Sequence, residues 1–341
     1  MAPPAARRPT LADVARLSGM STAAVSMILN NRPGSRLSAE AADRVRAAAA
    51  ELGYRPNPAA QSLRLGRTRT IGFVSDEVTI TRYASAMIRG VLDAARARDH
   101  TVLMTETGGS DDLTQAVQEM TDRRVDALLI GLMTARMIDV PPVPDTQLPL
   151  VVVNGASPEG HASILPDERA AGAEVAGHLI ERGHRRIGII GDLPQVAGDP
   201  RRSITIAERF AGMSEAMDEA GVTPVRTDVP DWSPEVGREH SARLLDAHPD
   251  LTALIAGNDN TAFGIYQTAA ERRLRVGEDL SVVSFDDEEL AGYQRPGLTT
   301  ARLPYEEMAR LGVEMVLGDR ELGQTLVPMP LIVRESVRTL G

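Results

Sequence analysis

The 341-residue sequence has no cysteine, no lysine and a single tryptophan. Without cysteine there is no disulfide framework, no thiolate nucleophile and no cysteine-held zinc or iron–sulfur site, which fits a reducing compartment. No run approaches the roughly eighteen apolar residues of a membrane span, and the opening MAPPAARRPT lacks the apolar core of a secretory signal. A cytoplasmic protein without membrane contact is expected. Catalytic signatures are missing as well. His100, His161, His178, His184, His240 and His248 never fall at a metal-binding spacing, and neither a Gly-Lys-Ser/Thr phosphate loop nor a Gly-x-Ser-x-Gly elbow occurs. Asp286 and Asp287 are adjacent and so do not suit the flanks of one scissile bond, while His184, in Gly183-His184-Arg185-Arg186 before a strand-like run, reads as structural. The sequence predicts no enzyme, no metal and no cofactor.

With 43% hydrophobic and 25% charged residues, the chain can bury the cores of two or three domains. Its net charge of −10 conceals a partition. Residues 1–70 carry eleven arginines against four acids (Asp13, Glu40, Asp43, Glu51), a net +7, whereas the remainder carries −17. A small basic head before a large acidic body points to nucleic-acid contact at one end, because a surface that releases phosphate counterions must be locally positive. That all 37 basic residues are arginine is a matter of coding composition rather than of recognition.

In the head, Thr10 and Asp13 form a capping-box pair, and Leu11, Val14, Ala15 and Leu17 supply an apolar face. Gly19 suits a left-handed turn, and Ser21 suits the cap of a second helix over about 22–29 with Val25, Ile28 and Leu29 as its buried residues. A third helix over 38–52 adds Val45, Ala49 and Leu52. Ala15, Gly19 and Val25 stand at helix-turn-helix spacing. The outward face of the second helix is Thr22, Ala23, Ser26 and Met27, short enough to seat deeply in a major groove, with hydroxyls for hydrogen bonds and methyls for thymine.

The segments TLADVARLSGMSTAAVSMILNNRPG and AADRVRAAAAELGYRPNPAAQSLRLGRTRTIGFV closely resemble the lactose-repressor (LacI/GalR) family of bacterial transcription regulators, and the likeness continues to the C-terminus. The resemblance implies DNA contact by Thr10, Ser21, Thr22, Ala23, Ser26, Met27, Asn30, Tyr54, Asn57, Ala60, Leu63 and Arg64. Met27 stands where the family usually has arginine, which removes a base-reading guanidinium. Residues 57–64 match the family's hinge helix: Asn57 caps, Pro58 takes the first helical position, and two turns are too short to persist without a second copy and DNA. Leu63 is implied as a minor-groove wedge, with Arg64, Arg67 and Arg69 on phosphates. The expected layout is a disordered arm at 1–9, a helix-turn-helix domain at 10–56, a hinge helix and linker at 57–69, and an effector-binding and dimerisation domain at 70–341.

From Thr70 onward the runs TIGFVS, TVLMTE, DALLIG, PLVVVN, RIGIIGD, TALIAGND and SVVSFDD alternate with helical segments at 83–98, 169–182, 204–220 and 260–274. This is the pattern of parallel sheets covered by helices on both faces. The expected fold is an all-α helix-turn-helix head plus an α/β body of two doubly wound parallel-sheet lobes. The resemblance makes that body periplasmic-binding-protein-like, with three chain crossings, an N-lobe at about 70–183 and 304–325, and a C-lobe at about 184–303 and 326–341. Asp167, Asn258-Asp259 and Asp286-Asp287 follow strand-like runs, and with Arg209 they supply the donors and acceptors that vicinal sugar hydroxyls require; Trp232 offers a face for stacking. The same residues have plainer uses: an aspartate at a strand end caps the next helix, Asp259 or Asp287 foremost, and a lone tryptophan fills a core. The resemblance implies the effector set Tyr83, Asp167, Arg209, Trp232, Asn258, Asp286 and Tyr305, with Arg209 clamping ligand oxygens. Thr81-Arg82-Tyr83-Ala84 replaces the family's common Asn-Pro-Phe-Phe, so part of the pocket differs.

The expected protein is a homodimeric repressor of a carbohydrate uptake or utilisation operon, bound to a pseudo-palindromic double-stranded DNA operator and released by a small sugar-like effector. The alternatives are a corepressor-dependent regulator with a purine-like ligand and, from another class, a cytosolic solute-binding protein. Only Arg338, Thr339, Leu340 and Gly341 follow the last strand-like run, so a dimer rather than a heptad-bundled tetramer is expected.

Overall fold

The computed structural model describes residues 9–29, 38–55, 66–76, 84–108, 110–143 and 147–341. The chain divides into two units, Met1–Thr68 and Arg69–Gly341.

In the first unit, helices α1 (Leu11–Ser18), α2 (Thr22–Leu29) and α3 (Ala39–Glu51) enclose a small core in which Val14, Val25 and Val45 are fully buried. Its local chemistry follows the sequence. The Thr10 hydroxyl accepts the Asp13 N–H at 3.3 Å while the Asp13 carboxylate accepts the Thr10 N–H at 2.9 Å, closing the capping box. Gly19 ends α1 at φ 68°, the Ser21 hydroxyl accepts the Ala24 N–H and the Ser38 hydroxyl accepts the Ala41 N–H. Leu17 does not join the apolar face: at about 100° per residue, Leu11, Val14, Ala15 and Ser18 share one arc and Leu17 falls outside it, 46% exposed. Ser18 takes the inward place because its hydroxyl donates to the Val14 carbonyl at 2.7 Å.

The second unit holds two six-stranded sheets. The first comprises β1 (Thr70–Asp76), β2 (Thr101–Thr107), β3 (Ala127–Met137), β4 (Leu150–Ala156), β5 (Ala162–Pro166) and β11 (Gln324–Val327) in the order β11-β5-β4-β3-β1-β2, all parallel. Helices α4 (Ala84–Arg96) and α12 (Tyr305–Val316) share one core with it, and α5 (Ser110–Asp122) shares another. The second sheet comprises β6 (Ile187–Asp192), β7 (Val225–Asp228), β8 (Ala253–Ala256), β9 (Ser281–Asp286), β10 (Thr299–Arg302) and β12 (Leu331–Ile332) in the order β12-β10-β9-β8-β6-β7, parallel except for the β12–β10 pair. Around it stand α6 (Glu168–Glu181), α7 (Pro194–Ala197), α8 (Ile206–Glu219), α9 (Pro234–Ala247), α10 (Asp259–Glu271) and α11 (Glu289–Tyr293). Central strands such as β4 and β9 are buried along nearly their whole length, as continuous apolar runs between helical layers must be, whereas the edge strand β2 is mostly open.

Helix α6 corrects the expected lobe boundary at 183. Its Ala171, Val175, Ala176 and Leu179 belong to the core of the second sheet, so the chain passes between lobes immediately after β5. What holds α6 there is its crossing with α8. A Cβ on Gly172 would stand 2.1 Å from the Arg209 carbonyl oxygen, and one on Gly212 would stand 2.0 Å from that of Arg169, so the two backbones touch only because both positions lack a side chain. Replacing Gly172 with alanine must separate the helices and should cost about 1–3 kcal/mol. Gly177→Ala, on the same helix where a Cβ meets nothing, should be neutral or slightly stabilising. Urea midpoints of the two variants check the contrast; equal midpoints would contradict the crossing.

His184 is fully buried and joins three segments: its Nε2–H donates to the Arg338 carbonyl at 3.1 Å, the Ser281 hydroxyl lies 3.0 Å from the same nitrogen, and the Thr252 hydroxyl lies 2.9 Å from Nδ1. Burial lowers its pKa, and burial together with the Arg182 charge lowers that of His178 from 6.5 to about 4. Both rings are therefore neutral in the fold while the unfolded chain gains protons near pH 6.5. Stability is fully present above that pH and is lost as pH falls toward 4. The urea midpoint should drop between pH 7 and pH 5, with a shallower drop in His178→Gln; an unchanged slope would contradict this.

Candidate functional site

In each sheet the strand order reverses, leaving a crevice at the carboxyl ends. In the second sheet β6 lies between β7 and β8, and the strand-end residues there are Gly191 and Gly257. Trp232 closes this crevice, half-buried: its indole N–H donates to the Gly191 carbonyl at 2.9 Å, and a Cβ on Gly257 would stand 2.4 Å from that nitrogen. Asn258 caps α10 through the Thr261 N–H at 2.9 Å and the Thr261 hydroxyl at 3.0 Å. Asp167 caps α6 through the Ala170 N–H at 3.1 Å.

Neither Asp259 nor Asp287 caps a helix, contrary to expectation. Asp259 accepts the Glu288 N–H at 2.7 Å and the Thr300 hydroxyl at 2.8 Å, pinning the loop after β9 to β10. Burial, reinforced by the charge of Asp286, pushes its pKa well above the usual carboxylate range. Asp287 accepts from the guanidiniums of Arg302 at 2.7 Å and Arg334 at 2.6 Å. The two residues at the end of β9 have positive φ, 107° at Asp286 and 54° at Asp287, which turns their side chains to different surroundings.

Arg209, in the first turn of α8, is 2% exposed. Its Nε and Nη2 donate to the two Glu168 oxygens at 2.6 and 2.7 Å, and Nη1 donates to the Gly257 carbonyl at 2.5 Å. The guanidinium carbon lies 4.3 Å from the Phe285 ring centre and 5.2 Å from that of Trp232, and Nη2 is 3.9 Å from Asp286. The expected ligand clamp therefore has its donor edge already occupied by Glu168, a residue that reads in sequence only as a favourable acid in the first turn of a helix.

Tyr305 belongs to the core of the first lobe. Its hydroxyl donates to the Met133 carbonyl at 2.9 Å, and burial beside Asp286 and Glu168 raises its pKa beyond any physiological range. The Met133 N–H donates in turn to Asp76 at 2.8 Å, and Asp76 pairs with Arg136 at 2.5 Å. Asp76 and Arg136, which the sequence did not single out, stand at the reversal point of the first sheet between β1 and β3, on the wall of a cavity of about 620 Å³. Thr107, Thr134, Val196 and Arg201 line the same cavity. The end of β3 bridges the lobes: Met137 N–H donates to the Pro200 carbonyl at 2.8 Å, Ile204 N–H donates to the Ala135 carbonyl at 2.9 Å, and Arg201 grips both Asp139 oxygens.

In the head, Ser21, Thr22 and Ala23 are exposed and Ser26 and Met27 partly so, forming one polar and methyl-bearing face of α2. Thr10 is engaged in its capping box, and Tyr54 packs against the three-helix core. Asn30, Asn57, Ala60, Leu63, Arg64 and Tyr83 lie outside the described residues.

Because Glu168 is 4% exposed, Arg209→Ala would leave a buried carboxylate without its partner, a loss of about 3–5 kcal/mol. The melting temperature should fall by several degrees; an unchanged melting curve would show that the pair carries little of the fold.

Comparison with known proteins places these features together. Residues 10–57 match the model for bacterial regulatory proteins of the lacI family, and residues 176–337 match a periplasmic binding protein-like domain. The ribose operon repressor of Haemophilus influenzae is 32% identical, over 97% of this chain and 99% of that protein. The transcriptional repressor PurR of Aliivibrio salmonicida is 31% identical, over 97% of this chain and 99% of that protein. Among solved structures, the Lac repressor dimer bound to operator and an anti-inducer superposes with a TM-score of 0.77 at 25% identity, covering 97% of this chain and all of that one. The capped helix-turn-helix head, the two parallel-sheet lobes and the full-length likeness have one meaning: the chain belongs to the lacI family of bacterial regulatory proteins.

Proposed function

We propose that the protein is a homodimeric transcriptional repressor of the cytoplasm that binds a pseudo-palindromic operator through α2 and releases it when a small carbohydrate occupies the interlobe crevice. The observation that carries this reading is the combination, in one chain, of a basic capped head with an acidic body of two sheet lobes whose strand orders reverse; the grouping of Glu168, Gly257, Trp232, Phe285 and Asp286 around Arg209 supports a polar effector site in the second lobe. The exposed hydroxyls and methyls of Ser21, Thr22 and Ala23 suit a major groove. Residues 57–69 take the role of a hinge between head and body, with Leu63 as its minor-groove wedge. The name of the ribose operon repressor favours sugar control. The buried carboxylates serve the fold and a polar ligand rather than catalysis, so no enzymatic activity is assigned.

Two measurements test it. A gel shift of the full-length protein with the DNA upstream of its own gene should show binding that weakens at least roughly tenfold between 50 and 200 mM salt, because the head must displace phosphate counterions. Absence of any shift would contradict the reading. Met27→Arg should reorder the preference among operator variants carrying single base changes, since a guanidinium pairs with guanine and a thioether offers only apolar contact. A uniform change across all variants would show that Met27 touches no base.

A further inference from the structure

We propose that Asp126 is a positioning residue for operator recognition: it holds the junction peptide between head and body in a left-handed turn, so that the first lobe sets the direction in which the chain passes to the DNA-binding unit. The proposal rests on the reading of the protein as an operator-binding dimer and adds the residue that fixes the joint.

The two units meet at the peptide bond between Thr68 and Arg69. The N–H of that peptide donates to the Asp126 carboxylate at 2.6 Å. The Arg69 carbonyl accepts the Thr101 N–H at 2.8 Å, and the Thr70 carbonyl accepts the Asp126 N–H at 2.8 Å. Arg69 itself sits at φ 53°. Residues other than glycine are disfavoured there, so such a turn persists only where the surroundings over-determine it. Thr101 and Asp126 supply that constraint, one opening β2 and the other preceding β3, the two strands that flank β1. Without the carboxylate, the junction N–H loses its acceptor and Arg69 is free to return to extended backbone.

The strands that grip the joint also reach the other end of the lobe. From Thr70 and Ala127, β1 and β3 run about 20 Å to Asp76 and Met133, and β3 continues to Met137, which bonds to the second lobe. Strands paired inside a sheet move as one body, so a rotation of the first lobe is carried to Arg69 rather than absorbed on the way. Direction at the joint matters because a dimer must place two heads on two half-sites at once. The gain from the second contact depends on how narrowly the joint limits each head. DNA held only through its phosphates sets no such register.

The test uses the full-length protein, titrated with the DNA upstream of its own gene and with a random-sequence duplex of equal length. The wild type should prefer the upstream fragment. Asp126→Ala should lower that preference about tenfold while affinity for the random duplex stays level or rises, since an acid has been removed. Asp126→Asn keeps an oxygen acceptor for the junction N–H and should retain most of the preference. Arg69→Pro cuts the same bond from the other end, because proline has no N–H and cannot enter the turn. Its loss should match that of Asp126→Ala, and the double variant should lose no more than either alone. An unchanged preference in Asp126→Ala, equal losses in the alanine and asparagine variants, or losses that add in the double variant overturn the role of Asp126 and leave the operator reading in place. Weaker binding to both DNAs in step with a lower urea midpoint marks a merely structural role and overturns it as well. A wild type that does not distinguish the two DNAs overturns the operator reading and this proposal with it. Arg69→Pro and Asp126→Asn carry the test if the alanine variant does not fold.

Discussion

The ion pair between Glu168 and Arg209 is the contact around which the second lobe is arranged. Burying two charges is unfavourable unless each is matched by short, well-directed partners. Here the match is bidentate and is completed by the Gly257 carbonyl. The pair ties the start of α6, the start of α8 and the end of β8 into one cluster, and it does so at the point where the strand order of the second sheet reverses. Trp232 and Phe285 cover the guanidinium, so the residues that shape the crevice are also those that exclude water from the pair. Site and core are the same set of atoms there.

A hydrogen-bonded chain within the first lobe ends beside the charges of the second. Asp76, the Met133 peptide and the Tyr305 hydroxyl form successive hydrogen bonds, and Tyr305 stands close enough to Asp286 and Glu168 for their charges to raise its pKa. The β3 extension adds two backbone bonds to the 200–204 segment and the Arg201–Asp139 pair. A ligand that alters contacts on one side of this path meets a partner on the other side that must respond, which is the physical requirement for coupling between sites.

Much of this could be read in the sequence, and the parts that could not share a cause. The Thr10–Asp13 capping box, Gly19 and the three valines of the head depend on neighbours within a few residues, and the sequence displays such neighbours directly. The buried central strands announced themselves as continuous apolar runs, whereas short edge strands such as β7 and β12 carry too few residues to show a pattern. Helix α6 was legible as a helix but not as a member of the second lobe, because amphipathicity says that a face is buried and not against what. Glu168 escaped for the same reason: its partner is 41 residues away, and only the α6–α8 crossing brings them together. Asp259 and Asp287, read as caps, do other work: Asp259, at the start of α10, holds the loop after β9 to β10, and the positive φ at Asp286 and Asp287 turns Asp287 to Arg302 and Arg334.

A head that reads DNA and a crevice that holds a sugar form one regulator only if the two sites share a free energy. Linkage makes that sharing reciprocal: a ligand that weakens operator binding must itself bind more weakly when the operator is present, by the same factor. The most direct measurement is therefore the affinity of the full-length protein for its sugar, by calorimetry, with and without a saturating operator duplex. Release by the effector predicts a loss of about fivefold or more in sugar affinity when operator is bound. Identical sugar affinity in both titrations, with operator bound throughout, would contradict it.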